Sequence, residues 1–318
     1  METSIRRPLV SVIIPTYNPG NSLERAVKSI LDQTYASWEL IIVDDASTEK
    51  LDERLRSQTL ADKRIRALRL DRNGGPAVAR NAGLALSSGD WIAVLDDDDV
   101  WLPTRLERLV ATAELCSADM VFDNILGYDD HSREVTGPIF KRVPDQLTLL
   151  DVLADQYEGI HNLGYIKPMI KREFFTAHAL KYDESLRGGE DLLLLIALLT
   201  RGIMNRGIDE PLYVYTTQVG CKSRRRSTRT RSTPQGRSIG EALLRFSKLN
   251  ESLLSPLERS AIEKRALSFF ESVPLTEFRH AKLTGQWAEV LRLLLTHASL
   301  RRYVQLKLRE RARNARPL

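Results

Sequence analysis

The first hundred residues alternate strand-like and helix-like patterns, and this alternation constrains the fold more than any other feature. Short runs of apolar and β-branched residues indicate strands at 9–15, 39–43, 64–70 and 91–95. A segment of helical periodicity follows each run; one carries Leu51 and Leu55, and two others begin near Pro76 and Pro103, since proline is favoured in a first helical turn. This order predicts an α/β fold with a mostly parallel sheet and helices on both faces.

A polar cluster follows each of these predicted strands. The clusters are Thr16 to Asn18, Asp44 with Asp45, Asp71 to Gly74, and Asp96 to Asp99. The carboxyl ends of parallel strands share one edge of a sheet, which is where ligands bind in open α/β folds. The four clusters are therefore expected to converge on one site.

The run "LDDDDV" at 95–100 places four carboxylates side by side after an apolar strand. Adjacent carboxylates repel one another, and burial adds to the cost unless a cation or hydrogen-bond donors compensate. Mg²⁺ and Mn²⁺ prefer oxygen ligands and commonly bind one or two carboxylates together with phosphate oxygens and water. The run predicts a divalent cation here, and the alternatives are a solvated acidic turn or an incidental calcium site.

Charge divides the 318-residue chain into two parts. Residues 1–220 hold 25 Lys and Arg against 34 Asp and Glu, whereas residues 221–318 hold 22 against 8. We therefore expect a catalytic or binding domain at 1–220 and a basic loop with a helical C-terminal extension at 221–318. A strongly basic segment indicates a polyanionic partner such as phosphate groups, nucleic acid or an anionic membrane.

Two basic segments stand out in this second part. Residues 222–237 are rich in Arg, Ser and Thr and read as a loop that closes over phosphates or as a solvated linker. Residues 299–318 combine seven Lys or Arg with Tyr303, Val304, Leu306 and Leu308. That composition favours a helix on an anionic membrane surface, and the alternatives are a solvated extension or a subunit contact.

The apolar segments predict a cytoplasmic protein, and the basic tail favours a peripheral position on the inner face of the cell membrane. The longest apolar run, 192–199, is far shorter than the roughly 20 residues of a spanning helix and indicates a buried helix. The apolar stretch near the N-terminus ends at Pro15 and is too brief for a secretory signal.

Five motifs, in order, resemble those of the family 2 glycosyltransferases. They are "IIPTYN", "VDDAS", "RNGGPAVARNAGL", "LDDDDVW" and "GGEDLLL", and the resemblance covers roughly residues 8–215. It implies a GT-A nucleotide-sugar-binding fold, a nucleotide-sugar donor, a Mn²⁺ or Mg²⁺ cofactor, and inversion at the anomeric carbon.

The resemblance also implies roles within the acidic run. Asp98 is the expected direct metal ligand, and Asp96 lies nearer the ribose or the metal-bound waters. Asp97 occupies the variable middle position of the motif, and Asp99 is expected to cap the following helix. A metal that stabilises the leaving group makes a general acid unnecessary, so one base is sufficient.

The expected base is Asp191, with Glu190 beside it holding neighbouring donors or the acceptor. The N-terminus of the helix stabilises the carboxylate as an anion and lowers its basicity. The position of the carboxylate relative to the acceptor hydroxyl therefore has to contribute much of the catalytic effect. Spacing alone favours two ordinary first-turn charges of the following helix, and the resemblance favours the base.

The family pattern assigns the nucleobase N–H to Asp45, while Asp44 serves either the nucleotide or the fold. The complete nucleotide-sugar set comprises Pro15, Thr16, Tyr17, Asn18, Asp44, Asp45, Asn73, Arg80, Asp96 and Asp97. Tyr17 could equally be an ordinary half-buried aromatic residue and Arg80 a member of a surface ion pair. The region 120–185 is less regular. His161, Asn162 and Lys167 in it either help to select the donor sugar or have a structural role.

The resemblance, together with these residues, implies an inverting, metal-dependent transfer of a sugar from a UDP-sugar to a saccharide or lipid-linked acceptor in exopolysaccharide or cell-surface glycan synthesis. The alternative is a non-catalytic protein that binds nucleic acid or an anionic membrane through its basic tail. No nucleic-acid partner is expected, because the sequence carries no recognisable nucleic-acid-binding motif.

Overall fold

The computed structural model describes residues 7–48, 62–154, 163–217 and 235–297, together with 300–301 and 304–305. The chain divides into two compact units, residues 1–231 and 232–318. The segment predicted to be helical around Leu51 and Leu55, His161 and Asn162, loop residues 222–234 and most of the tail 299–318 lie outside the described residues.

The described part of the first unit is built on a nine-stranded sheet. Its strands are β1 Val10–Thr16, β2 Trp38–Asp44, β3 Ile65–Arg69, β4 Trp91–Val94, β5 Val100–Trp101, β6 Met120–Asp129, β7 Glu134–Pro138, β8 Met169–Lys171 and β9 Asn205–Thr217. The strand order is β3-β2-β1-β4-β8-β6-β9-β5, and β7 pairs with β6. The helices of this unit are α1 Ser22–Leu31, α2 Pro76–Leu86, α3 Arg105–Cys116, α4 Leu149–Leu153, α5 Arg172–Ala177 and α6 Glu190–Thr200.

The predicted α/β fold is confirmed, and its parallel part is the β3-β2-β1-β4 half of the sheet. Thr16 pairs with Asp44, and Asp44 pairs with Arg69, so these strands end level with one another. The other half is mixed, because β8 runs antiparallel to both β4 and β6 while β9 runs parallel to β6. The apolar segment "PLYVYTT" forms the end of the thirteen-residue β9.

Helix α2 packs closely on β1 at Gly83. A Cβ atom at this position would overlap the side chain of Ile13, so a larger residue would push the helix away from the sheet. Arg80 lies one turn earlier on the same helix and is buried. The close approach at Gly83 therefore sets how near Arg80 lies to the ends of the strands.

A fully buried ion pair connects the start of α3 to β6. The guanidinium of Arg105 donates to both carboxylate oxygens of Asp123, at 2.9 and 2.7 Å, and to the carbonyl of Lys167 at 2.6 Å. It also lies 4.3 Å from the ring centroid of Trp101. Arg105 thus positions the backbone segment that carries Lys167.

The second unit is helical in its described residues. Its helices are α7 Gln235–Leu249, α8 Pro256–Leu283 and α9 Trp287–Thr296. Phe278 and Ala281 of α8 form a buried cluster with Val290 and Leu293 of α9 and with Leu300. Among the helices that the structure describes, none combines the length and apolar character needed to cross a bilayer.

We predict that Arg105→Met destabilises the protein by about 3–5 kcal/mol, because it leaves the buried Asp123 carboxylate without its cation. The matched control is Arg108→Met on the same helix, since Arg108 is exposed and pairs with exposed Glu210. That variant should lose less than about 1 kcal/mol. Urea unfolding of both variants measures the difference, and equal losses would contradict the assignment.

Candidate active site

The polar clusters that follow the parallel strands lie together at one edge of the sheet. The hydroxyl of Thr16 donates to Asp97 at 2.6 Å, and the carbonyl of Thr16 accepts the amide of Asp45 at 2.8 Å. Asp45 in turn binds the loop that contains Gly74. Clusters from all four strands are therefore connected, as their positions in the sequence predict.

Asp45 organises the glycine-containing loop before α2. Its two carboxylate oxygens accept the backbone N–H groups of Gly74 and Gly75, both at 2.7 Å. Gly75 has φ 91°, a conformation that disfavours residues with a Cβ. The side-chain amide of Asn73 donates to the carbonyl of Asp45 at 3.2 Å and accepts from Arg187 at 2.6 Å. The loop is thus held against the end of β2.

The other residues at this edge that are expected to contact the nucleotide-sugar have different environments. Asp44 is fully buried, accepts the Ser47 amide at 2.9 Å and pairs with Arg69 at 2.7 Å, which fits its structural alternative. Asn18 joins the neighbouring loop, because its side-chain oxygen accepts the Thr48 amide at 2.8 Å. Pro15 is buried in β1, whereas Tyr17 is exposed. Tyr17 is 42% exposed, so its nucleoside role stays a prediction.

The four adjacent aspartates have separate environments. Asp97 accepts from Thr16, whereas Asp99 accepts the Tyr213 hydroxyl at 2.6 Å and the Thr216 amide at 2.7 Å. The expectation that Asp99 caps a helix is wrong, because β5 intervenes and α3 begins at Arg105. Burial, followed by the charges of Asp98 and Asp96, raises the pKa of Asp99 well above its ordinary value. The four carboxylates therefore differ in their partners and in their proton affinity.

A buried network of ion pairs joins Asp96 to the predicted base. Arg80 is 4% exposed and pairs with Glu190, with Asp191 at 3.0 Å and with Asp96 at 2.8 Å. Lys167 pairs with Asp96 at 2.9 Å and also with Asp191. The surface alternative for Arg80 is wrong, since this side chain lies at the centre of the site. The network connects α2, the end of β4, the segment before β8 and the start of α6.

Lys167 is the site residue that sequence reasoning left undecided. Its segment, "GYIKPMI", contains one charge among apolar residues, and the Lys167 side chain is 10% exposed. A cation in an apolar, buried segment needs an acidic partner, so this pattern was the available signal. The two acids that it meets are distant in sequence, and local periodicity does not predict such pairs.

The network gives its carboxylates different proton affinities. Burial alone would raise the pKa of Asp96, but the cations Lys167 and Arg80 hold it well below its ordinary value. Burial and the charge of Asp191 raise the pKa of Glu190, and Arg80 offsets part of that rise. Burial would lower the pKa of Lys167, but Asp191 and Asp96 raise it above its ordinary value. Asp96 is thus held as an anion and Lys167 as a cation.

The donor set suits a divalent cation that is completed by a bound ligand. Within the described ranges, no group of three or more His, Cys, Asp or Glu side chains is arranged to enclose a metal. A metal ion that is bound by one protein carboxylate, by phosphate oxygens of a substrate and by water is consistent with this arrangement. Asp98 is half-buried in the acidic run, whereas each oxygen of Asp96 already has a cationic partner. The geometry favours Asp98 over Asp96 as the direct ligand, and both metal roles remain predictions.

The family model "Glycosyl transferase family 2" matches residues 11–174. The chain belongs to glycosyl transferase family 2. Succinoglycan biosynthesis protein ExoO of Rhizobium meliloti is 37% identical over 224 residues, which cover 68% of this chain and 63% of that protein. Putative teichuronic acid biosynthesis glycosyltransferase TuaG of Bacillus subtilis is 35% identical over 211 residues, which cover 66% of this chain and 79% of that protein.

Solved structures confirm the GT-A fold of this family 2 member. The S. aureus TarS 1–349 structure in complex with UDP-GlcNAc aligns with a TM-score of 0.63 at 20% identity. The alignment covers 83% of this chain and 72% of TarS 1–349. At this level of identity the likeness concerns the fold.

We predict that two amide substitutions in the network have opposite pH dependences. The pKa of Asp96 is lowered from its ordinary value of 3.8, so the Asp96 carboxylate stabilises the folded protein at pH values above 3.8. The loss of folding stability caused by Asp96→Asn should therefore shrink as the pH falls below 3.8. The raised pKa of Glu190 gives stability below 4.5 that is lost as the pH rises. Glu190→Gln should therefore gain stability relative to the native protein as the pH rises.

Urea unfolding with a chelator present, over roughly pH 2 to 7.5, measures both trends, because the stabilisation by Asp96 is lost below pH 3.8. Parallel pH trends for the two variants would contradict the assigned environments. Circular dichroism at neutral pH checks that both variants retain the native fold.

Proposed function

We propose that the protein is an inverting glycosyltransferase that moves a sugar from a nucleotide-sugar donor to a saccharide or lipid-linked oligosaccharide in exopolysaccharide or cell-surface glycan synthesis. The observation that carries the proposal is the network in which Arg80 and Lys167 join Asp96 to Asp191. It connects the proposed diphosphate end of the site to the proposed base. Family membership supports the reaction class, and the names of ExoO and TuaG support the product class.

UDP is the proposed nucleotide. TarS has been crystallised with UDP-GlcNAc and with UDP, on a related fold. An Escherichia coli relative, 40% identical over 103 residues, is named UDP-Glc:alpha-D-GlcNAc-diphosphoundecaprenol beta-1,3-glucosyltransferase WfgD. Its name also supports a lipid-linked acceptor. Exposed Tyr17 and the Asp45 carboxylate at the adjacent strand ends are the proposed nucleoside contacts.

Asp98 is the proposed protein ligand of Mn²⁺ or Mg²⁺, and Asp96 is paired with the cations Arg80 and Lys167. A cation bound there would neutralise charge that develops on the departing diphosphate. Asp96 contributes by keeping Arg80 and Lys167 in place at the end of β4.

Asp191 is the proposed base. It takes the proton from the acceptor hydroxyl as that oxygen attacks the anomeric carbon, and the bond from this carbon to the diphosphate oxygen breaks on the opposite face. The Asp191 side chain is 25% exposed, so a substrate can reach it, and its two oxygens pair with Arg80 and Lys167. These contacts fix the position of the Asp191 carboxylate, so its orientation towards the acceptor hydroxyl is the proposed source of the rate effect. Glu190 is buried and serves to hold Arg80.

The proposed location is the cytoplasm, with an anionic membrane surface as a partner. A lipid-linked acceptor would be presented there, and the basic composition of residues 221–318 suits such a surface. The tail 299–318, which carries most of the sequence argument, lies largely outside the described residues. The alternative of a non-catalytic binding protein rests on that same tail.

We predict that the protein with Mn²⁺ releases UDP from one or more members of a panel of UDP-sugars when a saccharide acceptor is present. Asp191→Asn should lower kcat by about 10²-fold or more, because general-base catalysis is typically of that size. Lys167→Met should lower kcat more than it changes the donor KM, and Lys167→Arg should recover part of the loss.

Lys171→Met is the matched control, since Lys171 is a half-exposed lysine of β8 that pairs with Asp119. It should retain native turnover. Full activity of folded Asp191→Asn would contradict the assigned base. Equal losses in the Lys167→Met and Lys171→Met variants would contradict the positioning role of Lys167.

A further inference from the structure

The last described helix carries a row of exposed apolar side chains. Trp287, Leu291 and Leu295 of α9 are 64%, 59% and 70% exposed, and Leu283 at the end of α8 is 69% exposed. Residues four apart lie on the same face of a helix, so the α9 members form one line. These four residues are called the apolar stripe below.

The apolar stripe is separate from the face that packs α9 into the second unit. Val290 and Leu293 are buried against Phe278 and Ala281 of α8, and this contact accounts for the packing of the helix. A surface helix needs one such apolar face for its core, with polar residues opposite. The stripe is a further apolar surface that the packing of this unit does not require.

Trp287 differs from the other tryptophans of the chain. Trp38, Trp91 and Trp101 are 2%, 7% and 2% exposed, so each has an ordinary place in the core. An exposed tryptophan beside exposed leucines is typical of helices that lie in the interfacial region of a bilayer. Its indole can remain among head groups while the neighbouring leucines contact acyl chains.

The charge of the sequence that contains and follows the apolar stripe favours an anionic lipid surface over a second copy of this chain as the occupant. Residues 281–318 contain nine Lys or Arg and two Glu, a net charge of +7. Lys282, Arg292 and Arg301 are exposed, and Arg301 donates to the carbonyls of Leu294 and Leu295 at the end of α9. A second copy of this surface would bring like charges together, whereas an anionic lipid surface compensates them.

We propose that the apolar stripe is a lipid-contacting surface that inserts into the head-group region of an anionic bilayer. Helix α9 has ten residues and is about 15 Å long, which suits a helix lying in the plane of the interface. The proposal deepens the membrane partner proposed above by assigning it a surface. Leu283, Trp287, Leu291 and Leu295 supply the apolar contact, and the surrounding cations supply attraction to anionic lipid.

The test uses the full chain and vesicles of phosphatidylcholine, with or without phosphatidylglycerol. We expect co-sedimentation with the anionic vesicles, weakened by added salt. Brominated lipid should quench tryptophan fluorescence, and Trp287→Phe should abolish most of the quenching because the other tryptophans are buried. Leu291→Ser combined with Leu295→Ser should weaken vesicle binding at least about tenfold.

Leu249→Ser combined with Leu257→Ser is the matched control. These leucines are 82% and 66% exposed, and they lie at the end of α7 and near the start of α8, away from the stripe. The control should bind vesicles like the native protein. Both double variants replace exposed side chains, so equal melting temperatures confirm that neither unfolds the chain.

Unchanged vesicle binding by Leu291→Ser with Leu295→Ser would overturn the proposal, as would binding without quenching of Trp287. A native oligomer that dissociates in this variant without vesicles would instead assign the stripe to a second copy. UDP release with a soluble acceptor is measured in the same samples. Its absence would contradict the proposed function, whereas vesicle binding and quenching test the stripe independently.

Discussion

The buried ion pairs of Arg80 and Lys167 with Asp96, Glu190 and Asp191 determine how the site is assembled. Removing Lys167 would leave Asp96 and Asp191 with one cationic partner fewer, and removing Arg80 would also leave the buried Glu190 carboxylate without its cation, which is costly. Because the pairs span four segments, the end of β4 and the start of α6 are fixed relative to each other. The separation between proposed leaving-group site and proposed base is thus set before substrate binds.

Other contacts hold this network in place. Gly83 lets α2 approach β1 closely, which brings Arg80 to the strand ends. Arg105 is neutralised by Asp123 and donates to the backbone carbonyl of Lys167, which positions the second cation of the network. Core packing is therefore coupled to catalytic geometry, and a substitution several residues from the substrate can act through orientation.

The adjacent aspartates of the acidic run have different binding partners. Asp96 faces two cations, Asp97 accepts from Thr16, and Asp99 binds Tyr213 and Thr216 of β9. Burial and two neighbouring anions raise the pKa of Asp99. Because both oxygens of Asp96 already have cationic partners, Asp98 is the proposed position for an added cation.

Sequence periodicity predicted the parallel strands and the meeting of their polar ends, because both follow from local patterns and a regular register. It did not predict the antiparallel insertion of β8 or the pairing of β5 with β9, since those contacts join distant segments. The misassignment of Asp99 has that same origin, and so does the uncertainty over Lys167. The exposure of Trp287 likewise required knowledge of which face of α9 packs on α8.

The most direct test of the central claim is a crystal structure with UDP and Mn²⁺, with the anomalous signal used to locate manganese. The account predicts a peak about 2.1 Å from a carboxylate oxygen of Asp98 and beside the diphosphate, with Asp96 still paired to Arg80 and Lys167. Bound UDP with no manganese at Asp98, or manganese held elsewhere in the molecule, would contradict it.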